Sequence, residues 1–559
     1  MTACKAQAPD LRELVSLGKV RRWCLQHGLD RAAFRALHGE AQLICMARLL
    51  HYVLLEQRCD ACLSIEPWGA DQRLYLGHGP RLEVPLAGHA PRIYFELLAN
   101  PSWHEEGQRR ELASCGSFLR ALGKVLAATD YGEDLPALAL DYRNSLCNLI
   151  LNLALGRTRA AHSCAIEPVC RGHGYYPFPA LRIGPSIEEV VAVSNLSPQP
   201  VPLLFVRVPG YSFNSTDYAD PKLCAAHWSA AAAVAEQCLL PVHPWQFRLS
   251  PVIRQMLHSK QISLAPLHVP MMPLASQRTC RVLATGHDLK LSLDATLTGE
   301  RRLLYRLNSY NAPLVSSLIR QVLRCSEIST LDFQYDVASL YWDDPLIGPH
   351  LSAIVRAPCV AASNETVVPA LNLWASREQA SGWLKLGNRQ QALDTFDRYC
   401  RLLMGAVVPF CTQWGIALEP HLQNSYVVVR DGLPVRVIVR DLDNSILDPQ
   451  SVRGMCREQG LALAPDTWAH MPAFAIGQRR LVHALLRGHL YPVMHFFIRH
   501  LGLDLPQLEA CLSDGWQALA EQAPGAHGKR NVQALRALVE STKHSLSMRL
   551  KQSMTMSFQ

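Results

Sequence analysis

The residues best suited to chemistry lie at the two ends of a predicted β-hairpin. Residues 419–424 read E-P-H-L-Q-N before its first strand, and residues 440–444 read R-D-L-D-N after its second strand. The turn between the strands is Asp431-Gly432, a strong hairpin signal, and antiparallel pairing should bring the two ends side by side. Carboxylates there could bind Mg²⁺, with nucleotide phosphates completing its octahedral shell. The alternative is a solvated strand end with a capping aspartate.

A second polar cluster stands in apolar surroundings. Hydroxyls, an arginine fork and a lysine on neighbouring strands could hold phosphate or carboxylate oxygens. Neither G-x-x-x-x-G-K-[ST] nor G-x-G-x-x-G occurs, so a nucleotide would bind without the common loops. Ordinary charge at a strand edge is the alternative. The members are Ser276, Arg278, Thr279, Lys290, Thr298, Glu300, Arg301 and Arg302.

Two further segments place histidine among prolines, at 172–179 (G-H-G-Y-Y-P-F-P) and at 241–246 (P-V-H-P-W-Q). Proline-flanked loops hold a side chain in place at low entropic cost. A zinc site is a rival interpretation, because Cys59 and Cys62 form a C-x-x-C pair. That pair has no second pair at finger spacing and no H-E-x-x-H accompanies it, so a structural zinc is not favoured and buried thiols are the ordinary reading.

Length and composition limit the class of protein in which these sites can lie. The chain has 559 residues, 49% hydrophobic and 18% charged, which excludes a disordered chain and supplies a large core. A net charge of +8 suits anionic small molecules and is too dilute for a nucleic-acid binder. The N-terminus lacks the apolar run of a signal peptide, no stretch approaches the about 18 apolar residues of a membrane span, and the 18 cysteines are scattered. We therefore expect a cytoplasmic protein without nucleic-acid or membrane partners.

The elements that must position the sites follow from periodicity. Helical spacing dominates the first 160 residues, with a hairpin at 74–86, and returns at 221–237, at 396–416 and after 475. Short β-rich runs occupy 201–208, 278–283 and 289–293. The pattern predicts an α+β fold with a mainly antiparallel centre and helical ends.

Taken in order, these segments resemble one family, the IucA/IucC-type synthetases, which make siderophores independently of non-ribosomal peptide synthetases. The likeness runs from about residue 165 to the end of the chain. Its motifs are the Gly-His loop at 172, V-H-P-W-Q at 242–246, S-x-R-T at 276–279, K-L-S-L at 290–293, T-x-x-x-R at 298–302, E-x-H-x-Q-N at 419–424, R-D at 440–441 and M-R-L at 548–550.

The resemblance implies a cupped hand of three subdomains. These would be a mainly helical thumb at 1–160, fingers with the ATP-binding strands at 161–395, and a palm with the E-x-H-x-Q-N hairpin and C-terminal helices at 396–559. It also implies an ATP-dependent ligase that adenylates a carboxylate, typically of citrate, and passes the acyl group to an amine or hydroxyl. Members are often dimers, so a homodimer is one expected assembly.

The resemblance assigns roles residue by residue, with ATP and Mg²⁺ as cofactors. Arg302 and His421 would be catalytic and, with Thr298, would hold the carboxylate substrate; Arg301 should point to the opposite strand face from Arg302 by simple alternation. Glu419 and Asp441 would bind the metal. The nucleotide would contact His173, Ser276, Arg278, Thr279, Lys290, Gln423, Asn424 and Asp441.

One loop departs from the family's pattern G-H-P-x-H-P-x-x-K-x-R-x-G. Here Gly174 replaces the first proline, Tyr176 the second histidine and Ala180 the lysine. The loss of two groups that could bind anions predicts an altered substrate more than a dead enzyme, because the other motifs are whole. The rival from another class is a non-catalytic relative that binds nucleotide or citrate as a regulatory or assembly partner.

Overall fold

The computed structural model describes residues 15–55, 63–68, 71–77, 79–87, 94–126, 135–159, 166–174, 176–197, 199–210, 212–215, 239–458, 460–464 and 467–540. The predicted helix at 221–237, the pair Cys59 and Cys62, and the M-R-L segment at 548–550 lie outside these ranges. Within them, each helix is too short or too polar to cross a lipid bilayer.

The N-terminal part packs helices against an antiparallel sheet. The predicted hairpin forms as two paired strands, and short flanking strands that the sequence analysis missed extend it. The strands are β1 Leu63–Trp68, β2 Asp71–Leu76, β3 Arg81–Ala87, β4 Glu96–Leu97, β5 Ser102–Glu105 and β6 Gln108–Glu111. The helices are Leu17–Gln26, Arg31–Leu55, Cys115–Leu126 and Leu135–Arg159.

The centre carries the largest sheet among the described residues, with nine strands in antiparallel pairs. It joins β8 Val201–Arg207 to β14 through β12 and β13, and continues through β19 and β18. Three short strands, β7, β15 and β16, form a smaller sheet beside it. The further bounds are β7 Arg182–Ile183, β9 Ser212–Ser215, β10 Leu239–Val242, β11 Ser263–Leu264, β12 Val269–Pro273, β13 Thr279–Val282, β14 Asp288–Leu291, β15 Leu293–Leu297, β16 Glu300–Arg302, β17 Leu331–Phe333, β18 Asp336–Tyr341 and β19 Ser352–Arg356.

The helices of this central part are few among the described residues. The longest carries Pro313 inside it and packs on β18. They are Ile187–Ala192, Gln246–Leu249, Pro251–His258 and Arg306–Cys325.

The C-terminal part is built around the predicted hairpin, which forms with its turn at Asp431-Gly432. Its two strands lie in the middle of a four-stranded sheet, where β17 pairs parallel to β23 and β20 pairs antiparallel to β22. The remaining strands are β20 Thr366–Pro369, β21 Ile416–Ala417, β22 Ser425–Arg430, β23 Leu433–Val439 and β24 Ile446–Leu447.

Helices cover this sheet and complete the chain, as the sequence predicts for the region after 475. A five-residue π-helical turn, Leu486–Leu490, joins two of them. They are Ala370–Leu373, Arg377–Trp383, Arg389–Trp414, Pro449–Glu458, Thr467–His470, Phe474–Leu485, Tyr491–Leu501, Leu505–Gln522 and Gly525–Arg536. The α+β class with mainly antiparallel sheets is confirmed.

One long helix explains how the hairpin is presented. Arg389–Trp414 buries an apolar stripe that includes Phe396, Leu403 and Val407, at the three- and four-residue spacing of an amphipathic helix. Gly415 ends it with a φ of 67°, and a Cβ there would lie 2.7 Å from Ser451 Cβ, so only glycine fits. The chain then enters β21 and reaches the segment 419–424 at the near end of the hairpin.

Two large apolar cores hold the fold together. The first includes side chains from Val15 to Val355 and underlies the N-terminal and central sheets. The second includes side chains from Val315 to Leu535 and underlies the hairpin sheet. The polar residues predicted to carry chemistry come from segments that belong to both.

Candidate active site

One cavity of about 1280 Å³ collects the residues that the sequence analysis singled out. Eleven arginine and lysine side chains line it against seven aspartates and glutamates, so its charge favours anionic ligands. Its volume exceeds the ~300–1,000 Å³ of an ordinary small-molecule pocket, which leaves room for more than one ligand. The predicted residues in its lining are His173, Ser276, Arg278, Thr279, Lys290, Thr298, Arg301, Arg302, Glu419, His421, Gln423, Asn424 and Asp441.

The two ends of the hairpin meet as the sequence predicts. Ser425 pairs with Val439, and the next residue outward, Arg440, donates its backbone N–H to the Asn424 carbonyl at 2.9 Å. Asp441 then adopts a φ of 71°, a left-handed conformation that aspartate and asparagine tolerate better than most residues. This turn leaves the carboxylates of Asp441 and Asp443 beside the edge of the sheet.

A buried charge network joins this hairpin end to the central sheet. Lys290 Nζ, on β14, lies 2.9 Å from Asp441 and 2.8 Å from both oxygens of Asp443. Arg356, at the end of β19, donates to Asp441, lies 3.5 Å from Asp443 and donates to Asp336 at 2.9 Å. Only Asp441 keeps appreciable exposure, at 16% of its side chain. The Asp441 carboxylate is therefore the member of the network that a phosphate or its metal ion in the cavity can reach.

The electrostatics of Asp441 follow from these neighbours. Burial alone would raise the pKa of its carboxyl, but Lys290, Arg356 and Arg278 outweigh burial and hold the pKa well below its ordinary value. Asp441 is therefore a carboxylate at neutral pH. Asp443 and Arg356 are site residues for which the sequence analysis assigned no role, since one was noted only as part of the hairpin end and the other ends an unremarkable strand.

The S-x-R-T segment forms a tight turn beside this network. Gln277 has a φ of 66°, and the Thr279 backbone N–H donates to Ser276 Oγ at 3.1 Å. Thr279 and Lys290 are directly opposite each other on β13 and β14, so their side chains share one face. Arg278 donates to the Arg302 carbonyl at 3.1 Å, and burial, with the charge of Arg302, lowers the pKa of Arg278 to about 10.

Arg301 and Arg302 send their side chains to different partners. Arg302 donates to the Leu297 carbonyl at 3.1 Å and to Thr298 Oγ1, so its fork is fixed within the turn that starts at Thr298. Arg301 instead pairs with Asp294 at 2.5 Å. Both arginines nonetheless line the cavity. Simple alternation along a strand would place them on opposite faces, but the register between β15 and β16 is irregular, so alternation does not hold here.

His421 is a neutral hydrogen-bond donor in this site. Its Nδ1 accepts the Asn424 backbone N–H at 3.2 Å, so Nε2 carries the ring proton. Burial lowers the pKa of His421 to about 4, against the smaller opposite effect of Glu419 and Asp441. The His173 ring lies 6.1 Å from the His421 ring, centroid to centroid, in an edge-to-face arrangement. The two predicted histidines thus share one wall.

The π-helical turn positions the loop that carries His421. His489, fully buried in that turn, donates from Nδ1 to the Pro420 carbonyl at 2.7 Å, and its Nε2 accepts from the Tyr399 hydroxyl. Single π-turns inserted in helices occur often at functional sites. The role of His489 is not predictable from the sequence, because nothing local distinguishes it from other histidines of a helix.

Glu419 forms an ion pair with Arg480. Arg480 donates to both of its oxygens, at 2.7 and 2.6 Å, in a bidentate pair. Within the described ranges, no group of three or more His, Cys, Asp or Glu side chains is arranged to hold a metal ion. A nucleotide-bound Mg²⁺ needs only one or two carboxylates, so the pair Asp441 and Asp443 fits it chemically. Glu419 as a metal ligand stays a prediction.

A second buried ion pair ties three site segments together. Arg440 donates to Glu167 at 2.7 and 3.1 Å and to the Gln423 carbonyl at 2.5 Å. Glu167 also accepts the Ala275 backbone N–H at 2.9 Å. The loop before Gly172, the S-x-R-T turn and the hairpin are therefore held in one arrangement.

The loop that departs from the family pattern forms part of the same wall. Gly172 has a φ of 73°, and a Cβ there would lie 2.5 Å from the Pro179 carbonyl oxygen, which explains the glycine. Tyr176 and Ala180 are buried and line the cavity. The Tyr176 hydroxyl lies against Gly299, where a Cβ would clash with it, so Tyr176 contacts the turn between Thr298 and Arg302.

Comparison with known sequences agrees with these features. The IucA / IucC family matches residues 163–375, and the family of ferric iron reductase FhuF-like transporters matches residues 396–556. Staphyloferrin A synthase of Staphylococcus aureus (strain NCTC 8325 / PS 47) is 22% identical over 46% of this chain and 45% of its own length. The D-ornithine–citrate ligase of the same strain is 23% identical over 52% of this chain and 51% of its own. The chain thus spans about half the length of these curated relatives.

A solved structure shares the fold over nearly the whole chain. ATP-bound aerobactin synthetase IucA from a hypervirulent pathotype of Klebsiella pneumoniae superposes with a TM-score of 0.76 at 16% identity, covering 92% of this chain and 98% of that one. The motifs from residue 172 to residue 302 lie within the IucA / IucC match, and those from residue 419 onward lie within the FhuF-like match. The architecture is that of the synthetase fold. Residues 163–375 thus match the IucA / IucC family in sequence, and the chain shares the fold of the aerobactin synthetase IucA.

Proposed function

We propose that the chain is an ATP-dependent siderophore synthetase. It would adenylate a carboxylate of citrate or a related polycarboxylate, then join the acyl group to an amine or alcohol, with release of pyrophosphate and AMP. The observation that carries the proposal is the cavity in which Lys290, Arg278 and Arg302 lie with the Asp441–Asp443 pair and a neutral His421. The names of the relatives, which include a citrate ligase, support the same reaction class.

The chemistry explains why these side chains are needed together. A carboxylate oxygen attacks the α-phosphorus of ATP, and the bond from that phosphorus to the pyrophosphate oxygen breaks. Two anions must approach each other in this step, so fixed cations and donors supply most of the catalysis. Arg278 and Lys290 can offset the phosphate charge, while Arg302 and His421 can orient the carboxylate and stabilise the charge on the α-phosphoryl oxygens.

The acyl group is transferred in a second step. The amine nitrogen attacks the acyl carbon, the bond from that carbon to the AMP oxygen breaks, and the nitrogen gives up a proton. Mg²⁺, when bound, would neutralise part of the phosphate charge, and Asp441 with Asp443 are the residues suited to hold it. In the structure both aspartates are paired with Lys290. A phosphate that forms an ion pair with this lysine would release carboxylate oxygens of the two aspartates, which could then bind the metal.

A pyrophosphate-release assay tests the proposal. Purified protein with ATP, Mg²⁺ and citrate, 2-oxoglutarate or a citryl monoamide should release pyrophosphate when amines or amino alcohols are supplied. Lys290→Met should abolish the release, and Arg301→Lys, which can keep its pair with Asp294, should serve as the matched active control. Nucleotide binding without turnover across the whole panel would contradict the proposal and favour a non-catalytic relative.

A further inference from the structure

Lys290 and Arg356 hold the same two aspartates, but the two cations are fixed differently. Lys290 Nζ lies 2.9 Å from Asp441 and 2.8 Å from Asp443, and within the described ranges these carboxylates are its ion-pair partners. Arg356 reaches the same two carboxylates with Nη2 and also donates from Nε to Asp336 at 2.9 Å. The arginine therefore has an anchor outside the pair of aspartates, and the lysine has none among the described residues.

The sheet places Asp336 for this contact. Asp336 begins β18 and lies directly opposite Arg356 on β19, so the two side chains share one face, and they are 0% and 2% exposed. Its backbone N–H donates to Ser316 Oγ at 2.9 Å, which fixes the end of the strand. Its Oδ2 is buried and makes no hydrogen bond with a described residue. A buried carboxylate with an unsatisfied oxygen lowers stability, which points to a functional role for the contact that it does make.

A second carboxylate lies opposite Arg356 but is already occupied. Asp288, on β14, is the partner of Arg356 on the other side of β19. Arg281 donates to both oxygens of Asp288, at 2.7 and 3.0 Å, and Gln334 donates to one of them at 2.8 Å. Asp336 is therefore the carboxylate that holds the Nε of Arg356.

The entry of ATP would separate the two cations. Lys290 donates to Oδ2 of Asp443, so phosphate oxygens that attract this lysine release that oxygen. Arg356 Nη2 contacts Oδ1 of Asp441 and lies 3.5 Å from Oδ1 of Asp443, so it can keep the spacing of the two carboxylates. The bond from Nε to Asp336 opposes a movement of the guanidinium towards the phosphate. Carboxylates held in place by such outer contacts bind a metal ion more tightly than carboxylates that move separately.

We infer that Asp336 is a positioning residue: it anchors Arg356, which keeps the two aspartates aligned for a divalent ion on the bound nucleotide. The inference rests on the nucleotide binding of the proposed function. Arg356 lines the cavity, whereas Asp336 is not among the described residues of its lining. Asp336 thus acts through Arg356 and touches neither the nucleotide nor the ion.

The experiment measures nucleotide binding and metal binding separately. It is done at pH 8, because burial raises the pKa of Asp336 to about 7 and its carboxylate is ionised above that value. The nucleotide is an ATP analogue with a methylene group between the α- and β-phosphates, which adenylation cannot cleave. Calorimetry in EDTA gives its affinity without metal. With protein in excess over the analogue, the electron paramagnetic resonance signal of free Mn²⁺ gives the affinity of the complex for the ion.

The expected effect of Asp336→Asn is selective. Mn²⁺ binding should weaken by about 10- to 100-fold, the usual cost of removing a residue that orients metal ligands. The metal-free affinity for the analogue should change by less than about threefold, because the phosphates are assigned to other side chains. Asp343→Asn is the matched control, since it removes an exposed carboxylate that pairs with Arg306 at 2.8 Å, and it should leave both affinities unchanged. Unchanged Mn²⁺ binding in folded Asp336→Asn, or equal losses of both affinities, would overturn the inference.

A second variant decides the question if Asp336→Asn does not fold. Arg356→Lys keeps a positive charge, but the point charge of an ammonium offers no separate nitrogens for Asp336 and for the two aspartates. It should show the same selective loss of Mn²⁺ affinity. Mn²⁺ binding as tight as that of the natural protein would overturn the inference here too.

The outcomes also distinguish this inference from the proposed function. Unchanged Mn²⁺ binding in Asp336→Asn, with pyrophosphate release by the natural protein, would overturn the anchor and leave the synthetase intact. A selective loss of Mn²⁺ binding, with no pyrophosphate release from any carboxylate, would support the anchor and contradict the synthetase. A natural protein that binds no analogue would overturn both.

Discussion

Lys290 Nζ lies 2.9 Å from the carboxylate of Asp441, although the two residues belong to sheets that rest on different apolar cores. Lys290 is on β14 of the central sheet, and Asp441 follows β23 of the hairpin sheet. Asp443 and Arg356 extend the contact into a buried network. The same ion pairs therefore join the two parts of the molecule and surround the place where we propose that phosphates bind.

The first prediction concerns that contact. Asp441→Asn should lower ATP turnover by 100-fold or more and lower the free energy of unfolding by about 3 kcal/mol, because a buried charge network loses one partner. Asparagine tolerates the left-handed backbone at this position, so backbone strain does not add to the measured loss of stability. Turnover and urea unfolding measure the two effects. Asp332→Asn, which loses a half-buried pair with Arg436, is the control and should keep its turnover.

The second prediction separates Arg302 from its neighbour. Arg302→Lys should lower kcat/KM for the carboxylate by about 10- to 100-fold, because the point charge of an ammonium cannot replace a planar fork whose separate nitrogens bond to Leu297 and Thr298 and can still face a substrate oxygen. Arg301→Lys should change it less than threefold. Steady-state kinetics with varied carboxylate measure both. Equal losses at the two positions would show that the carboxylate site is assigned to the wrong arginine.

The third prediction concerns pH and His489. Burial lowers the pKa of His489 to about 3, from about 6.5 in an unfolded chain. Between these values the unfolded state binds a proton that the folded state does not, so this histidine's contribution to stability is complete above pH 6.5 and falls as the pH falls. From pH 7 to 5 the loss is about 2 kcal/mol. His489→Gln should lose correspondingly less stability than the natural protein over that range.

Urea unfolding at pH 7 and pH 5 measures this difference. The contributions of all other titratable groups are the same in the two proteins and cancel when their pH dependences are compared. An identical pH dependence in the two proteins would mean that His489 is protonated in the folded state. Its hydrogen bond to Pro420 would then not depend on a neutral ring.

The fourth prediction concerns the altered loop. Tyr176→His with Ala180→Lys should change the preference among carboxylates by about five- to 150-fold, as one added charge-assisted bond of ~1–3 kcal/mol allows. The KM for ATP should hardly change, because the phosphate groups are assigned to the S-x-R-T turn and Lys290. Kinetics over a set of carboxylates of different charge test it. A uniform gain for all substrates, with tighter ATP binding, would instead place the loop in the nucleotide site.

The sequence predicts what is local and misses what is set by packing. The hairpin and the meeting of its ends follow from an Asp-Gly turn and alternating side chains within some 25 residues, and both are confirmed. The contact of Arg356 with Asp441 joins strands of different sheets, and no short-range pattern records it. The strand Gln108–Glu111 was missed because its four residues are polar and exposed and give no alternation. The subdomain boundaries at 160 and 395 stay predictions.

The fate of the carboxylate oxygen tests the central claim most directly. Adenylation transfers one oxygen of the acid to phosphorus, because the carboxylate oxygen becomes the bridge to AMP and the later attack by the amine breaks the acyl C–O bond. With citrate labelled by ¹⁸O in its carboxylates, mass spectrometry should therefore find one ¹⁸O in each AMP released, together with equimolar pyrophosphate. Unlabelled AMP, or ADP with labelled inorganic phosphate, would contradict an acyl-adenylate route and with it the account of this site.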